Sequence, residues 1–204
     1  MAGFSIMADV SNTVLGLLRE NLCPDPIQSP ESIILVSPGD KNSDFQLGVF
    51  LYEMKELSEY RTSAVLNGAD DLRRYPPKPL TLQYMLFMNN KAQIAAGAEI
   101  EQRAFGKAMV TLMDYSTLSL SQANPFLEAD EQEVHISLLS QSFEDKTKVW
   151  SALSVPYQVA VYFTVSPVLL TPQRTTKLTR VSAARFETGL ADRPGGSVKE
   201  GGSA

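Results

Sequence analysis

A chain of 204 residues is long enough to bury about 70% of the surface its unfolded form exposes, so one substantial core with tails is the expected organisation. With 44% hydrophobic and 20% charged residues, the composition is that of a globular protein and lies outside the disordered regime. The net charge of -5 argues against a general nucleic-acid binder, and the single cysteine, Cys23, excludes an internal disulfide and points to a cytosolic folding compartment.

The opening MAGFSIM has neither the basic start nor the apolar core of a signal peptide, and no run approaches the ~18 apolar residues of a membrane span. No membrane insertion is therefore expected. Residues 1–8 read as a flexible N-terminus. From Asp9, DVSNTVLGLLRENL sets Val10, Val14, Leu17 and Leu18 at helical spacing, with Asp9 or Ser11 available to cap the exposed amides. Three prolines in CPDPIQSPE then stop the helix, because proline locks φ and removes a donor.

A short strand is predicted over residues 32–37, where Ile33, Ile34, Leu35 and Val36 form an apolar, largely β-branched run. Residues 45–54 alternate Phe45, Leu47, Val49 and Leu51 against Gln46, Gly48, Phe50 and Tyr52, a period of two with aromatics on the second face, so this strand should be covered on both sides. Residues 55–78 turn polar and end in RRYPPKP, which reads as an extended loop too long for a hairpin. Alternation resumes over residues 80–88, with Leu80, Leu82, Tyr84 and Leu86 opposed to Thr81, Gln83, Met85 and Phe87.

The longest helix is predicted over residues 93–115, with Ala98, Phe105, Ala108, Met109 and Leu112 on one stripe. A polar linker containing Pro125 leads to a strand at residues 133–140 carrying Val134, Ile136 and Leu138, and Ser142 with Asp145 makes a capping-box-like start for a helix through Leu153. After Pro156, residues 157–170 give the strongest strand, with Val159, Val161, Phe163 and Val165 against Gln158, Ala160, Tyr162 and Thr164. The fold class expected is α+β: a single mixed or antiparallel sheet packed with two to three helices, a domain spanning residues 9–170. Residues 171–204 read as an arm and tail, basic between residues 173 and 185 through Arg174, Lys177, Arg180 and Arg185, and Gly/Ser-rich from Gly195.

Groups that carry chemistry are sparse. His135 is the only histidine, so a triad or multi-histidine metal site has no second anchor, and its place on the strand face opposite Val134, Ile136 and Leu138 suits a structural or interface role. Cys23, between Leu22 and Pro24, reads as an incidental thiol. The fragment EQRAFGKA resembles a phosphate-binding loop only in its Gly-Lys pair: Glu101 stands at the first glycine position and Ala108 where Ser or Thr must bind magnesium. The acids Glu128, Asp130, Glu131 and Glu133 offer oxygens to a hard cation, yet they lack the glycine of a calcium loop and suit a solvated connection. Tyr52, Tyr84, Tyr157, Tyr162 and Phe163 have no interleaved basic residues and read as sheet packing. The basic run from Arg174 admits two readings, a solvated tail or an ordered arm lying on an acidic neighbour.

Five blocks in a fixed order carry a resemblance: VSNTVLGLLRENL, FQLGVFLYEMKELSEYRT, PPKPLTLQYMLFMNN, FGKAMVTLMDYSTL and, most recognisably, KVWSALSVPYQVAVYFTV. Together they resemble the N-terminal domain family of cap, or tail-terminator, proteins of phage-tail-like contractile injection systems, of the antifeeding-prophage and Photorhabdus-virulence-cassette type. The resemblance implies a terminator-like α+β subunit without enzymatic activity, cofactor or metal. It would form a homo-oligomeric ring, a hexamer, on the distal end of the inner tube and contractile sheath, ending polymerisation and stabilising the extended particle. Its partners would be its own copies and the tube and sheath proteins, with room for a second cap protein. Assembly would take place in the cytoplasm, within a particle that is then released or cell-anchored. The expected contact residues are Arg61, Arg73, Arg74, Arg174, Lys177, Arg180 and Arg185, in the loop and the arm, with Trp150, Pro156 and Tyr157 as core anchor. Two alternatives stay open: another non-enzymatic adaptor of the same particle, at the baseplate, sheath or cell anchor, and an enzyme built on His135 and the acidic cluster.

Overall fold

The computed structural model describes residues 4–40, 44–57, 66–67, 72–89, 97–120, 133–172 and 174–177. In chain order the elements are α1 (Ile6–Leu22), a 3-10 turn (Pro30–Ser32), β1 (Ile33–Leu35), β2 (Leu47–Glu56), β3 (Leu66–Asn67), β4 (Leu72–Arg74), β5 (Lys78–Met88), α2 (Ala98–Asp114), β6 (Thr117–Ser119), β7 (Glu133–Leu138), α3 (Phe143–Ala152), β8 (Ala160–Leu170) and β9 (Thr175–Lys177). Six strands form one sheet in the order β1-β2-β5-β8-β7-β6. Only the β1–β2 pair is parallel. The class is α+β with a mixed sheet, as the patterning implies.

Period-2 alternation divides the apolar residues between two layers. On one face Leu82, Tyr84 and Leu86 of β5 and Val161, Phe163 and Val165 of β8 pack with Val10, Val14 and Leu18 of α1 and Phe105, Ala108 and Leu112 of α2. On the other face Met85, Phe87 and Tyr162 pack with Phe45 and Trp150 of α3. Strand β2 is covered on both sides, contributing Leu47 and Val49 to the first layer and Phe50 and Tyr52 to the second. Between the pairs Leu80↔Val168 and Leu82↔Val165, β8 carries one extra residue, and Pro167 sits in this bulge, where a missing N–H costs the ladder least.

Several boundaries differ from the sequence reading. Helix α1 starts at Ile6, because Ile6 extends the buried stripe of Val10, Val14 and Leu18 by one turn. Neither Asp9 nor Ser11 caps it: the Ser5 hydroxyl donates to the Asp9 carboxylate at 3.1 Å, and Ser11 donates to the Met7 carbonyl at 2.8 Å. The buried stripe of α2 is Ala104, Phe105, Ala108, Thr111 and Leu112, whereas Ala98 and Met109 are exposed. Met109 follows Ala108 by one residue, and the ~100° step of a helix carries it off the sheet. Strand β8 starts at Ala160, where its ladder with β5 begins at Phe87, and residues 157–159 lie before that ladder. The segment read as one long loop contains β3 and β4, and the linker after α2 contains β6.

Strands β3, β4 and β9 form a separate antiparallel sheet. Its register pairs Leu66↔Arg74, Asn67↔Arg73, Leu72↔Lys177, Arg73↔Thr176 and Arg74↔Thr175. The long loop and the C-terminal arm therefore meet within one chain.

Candidate functional site

Among the described residues, the groups weighed for chemistry do not assemble a reaction centre. His135, on β7, is exposed and its Nδ1 lies 3.1 Å from the Thr117 hydroxyl of β6. Burial pushes the Cys23 thiol above its ordinary pKa, with Arg19 opposing, which disfavours the nucleophilic thiolate. Residues 101–108 lie inside α2, so their amides are spent on helix bonds and cannot cradle phosphate. Glu133 opens β7, while Glu128, Asp130 and Glu131 lie outside the described residues. Among the described residues no group of His, Cys, Asp and Glu has metal-binding geometry, and no helix is long and apolar enough to cross a membrane.

Of the residues expected at subunit contacts, Arg73 and Arg74 lie on β4, Lys177 on β9, and Arg174 is exposed immediately before β9. The small sheet thus brings Arg73 and Arg74 onto the strand beside Lys177, about a hundred positions away in the chain, with Arg174 just before β9. Arg61, Arg180 and Arg185 fall outside the described residues. Trp150 is 1% exposed and its indole N–H donates to the Tyr162 hydroxyl at 2.9 Å. Pro156 and Tyr157 lie at the surface instead, and the Tyr157 ring stands edge-on to Trp150 at 6.4 Å and to Phe143 at 5.1 Å. Beside Trp150, the Tyr52 and Tyr162 rings meet edge-on at 5.8 Å, and Gln141 donates to the Tyr52 hydroxyl at 2.7 Å. Burial pushes the Tyr52 hydroxyl up to about 12, with the Gln141 hydrogen bond partly opposing.

The two sheet edges differ. At β1, the Ile33 N–H reaches the Pro30 carbonyl, and the Arg19 guanidinium donates twice to the Ile33 carbonyl, at 3.0 and 2.8 Å. A guanidinium over an edge carbonyl blocks strand addition at that point. The opposite edge is the three-residue β6.

Two exposed apolar surfaces escaped the sequence reading. On α2, Gly106, Met109, Val110 and Met113 follow i, i+3, i+4, i+7 spacing on the side away from the sheet; Val110 and Met113 are 53% and 62% exposed, and a Cβ at Gly106 would meet nothing within 4 Å. On the α3 side, Phe143 is 69% exposed against Tyr157, with exposed Val159 two residues further on. The α2 signal was present in the sequence as a second apolar stripe, hidden by assigning Met109 to the first.

The family model of the Pvc16 N-terminal domain matches residues 9–183. The chain belongs to that family. It is similar in fold to the PVC sheath/tube terminator of an extracellular contractile injection system, in the extended state, with a TM-score of 0.61 at 15% identity over 91% of this chain and 65% of that one. It is also similar to the anti-feeding prophage cap, a tube terminating cap, with a TM-score of 0.54 at 13% identity over 89% of this chain and 61% of that one. The chain therefore spans 65% and 61% of the lengths of these two solved structures. No curated protein matches it.

Proposed function

We propose that this chain is a structural cap subunit, a tail terminator that forms a ring, a hexamer, on the distal end of the inner tube and contractile sheath of a contractile injection system. There it ends polymerisation and holds the extended particle. The observation that carries this reading is the conjunction of membership in the Pvc16 N-terminal domain family with a fold shared with a sheath/tube terminator and a tube terminating cap.

In this reading the work is done by contact surfaces and no reaction is catalysed. Residues 9–170 act as the terminator domain and residues 171–204 as an arm. Arg61, Arg73, Arg74, Arg174, Lys177, Arg180 and Arg185 supply basic contacts to neighbouring copies and to tube and sheath proteins. Electrostatics favours this, because residues 173–185 hold four basic residues and no acid, while the rest of the chain sets 14 basic residues against all 23 acids. Assembly takes place in the cytoplasm, and the particle is then released or anchored.

Electron microscopy of particles made without this chain tests the proposal. The expected result is sheaths and tubes of uneven length with open distal ends. Particles of normal length with closed ends would overturn it.

A further inference from the structure

A ring of identical subunits needs two different patches that fit each other, because a self-matching patch closes a pair and stops. Among the described residues, two exposed apolar patches lie on opposite faces of the main sheet. One is the outer stripe of α2, Gly106, Met109, Val110 and Met113, on the layer that α2 shares with α1. The other is Phe143 with Tyr157 and Val159, beside the Trp150 layer.

We propose that the α2 stripe of one copy docks on the Phe143–Tyr157 patch of the next copy; this rests on the ring reading above and names the surfaces that would build the ring. Three observations support this occupant. First, the chemistry is complementary, since thioethers pack favourably against aromatic edges, and Met109 and Met113 would meet Phe143 and Tyr157. Second, Tyr157 walls a cleft of about 200 Å³ with Phe45, Phe87, Val155 and Pro156, and with Asp40, Asn89 and Gln158 as its polar lining, and the cleft has room for one methionine side chain. Third, charge does not oppose the contact. The exposed side of α2 carries Arg103 and Lys107 among Glu99, Glu101 and Asp114, so the helix presents charges of both signs around the stripe. The α3 surface is balanced, two acids, Glu144 and Asp145, against Lys146 and Lys148, with Lys148 bridged to Glu144 at 2.8 Å and to Asp145 at 3.6 Å. The open position at Gly106 lets the partner surface approach the helix backbone closely.

The test uses the full chain, with mass measured by sedimentation. Val110→Glu changes an exposed mid-helix position, and Phe143→Glu places an acid at the first residue of α3, where the helix dipole favours it, so both variants should fold, as circular dichroism would verify. The wild type should form rings. Each variant should associate about two orders of magnitude more weakly, as expected when an unpaired carboxylate is buried at the contact. An equimolar mixture of the two variants should form heterodimers, because one intact pair of patches remains between them. Rings of wild-type mass from both variants would overturn the docking and leave the ring standing. Loss of the ring in Val110→Glu alone would assign an α2–α2 contact and overturn it, as would a mixture that stays monomeric. A wild type that is monomeric at every concentration would overturn the ring reading and the docking together.

Discussion

Gly48 stands directly across the β2–β5 ladder from Phe87, whose ring occupies the space a side chain would need: a Cβ at Gly48 would lie 2.4 Å from Cζ and 2.7 Å from Cε1. The ring cannot swing away cheaply, because Phe87 is buried and held edge-on by Phe45 at 5.7 Å and by Trp150 at 6.1 Å. Gly48→Ala should therefore destabilise the domain by about 2 kcal/mol through overpacking, although alanine is intrinsically the better residue inside a strand. Urea unfolding would measure it, and an unchanged midpoint would mean that the Phe87 ring is free to move.

The second layer depends on Trp150. Trp150→Ala should cost about 3 to 5 kcal/mol, because it leaves a cavity against Phe87 and Tyr162. Tyr162→Phe removes only the acceptor of the indole N–H and should cost about 1 to 3 kcal/mol, the penalty of a buried donor left unpaired. If Tyr162→Phe unfolds at the same denaturant concentration as the wild type, the hydrogen bond carries no net stability.

Stability should decline in alkali for a reason specific to two tyrosines. Burial pushes the Tyr84 hydroxyl from 10.0 up to about 12, opposed by its hydrogen bond with Ser11, and Tyr52 is shifted to a similar value. The Tyr84 and Ser11 hydroxyls lie 2.8 Å apart in the core, so the folded chain holds Tyr84 where its charged form is poorly solvated. Above pH 10 the unfolded chain sheds these protons while the folded chain keeps them. Their contribution is therefore full below pH 10 and is lost as the pH rises toward 12. Denaturation midpoints taken across this range should fall, and less steeply in Tyr84→Phe. An equally steep fall in that variant would remove Tyr84 from the account.

Removal of residues 171–204 should leave the six-stranded sheet folded, because β9 pairs with β4 in the separate small sheet and adds nothing to the main one. The truncated chain should unfold cooperatively and bind tube and sheath ends more weakly than the full chain. Unaltered attachment in a pull-down with assembled particles would dismiss the arm as a contact.

Much of the fold was legible in the sequence. The alternation of Leu82, Tyr84 and Leu86 against Met85 and Phe87, and of Val161, Phe163 and Val165 against Tyr162, fixes which residues enter which layer, because a strand turns successive side chains to opposite faces. The Ser142 cap was readable too: its hydroxyl accepts from the Asp145 N–H at 3.1 Å, a contact three residues long that needs nothing distant. The order of the five resembling blocks also pointed to the family that residues 9–183 match.

The small sheet could not be read, since β3, β4 and β9 are two or three residues each and exist only because the arm after β8 returns to the loop before β5. The candidate surface was likewise decided by packing. Met109 and Ala108 are equally compatible with an apolar stripe in sequence, and only the direction in which α2 lies on the sheet sends one inward and the other to solvent. Periodicity thus determined which elements form and how each divides its faces, because those depend on local backbone geometry. Which apolar faces stay uncovered was left to the tertiary structure, because coverage depends on neighbours that local geometry does not choose.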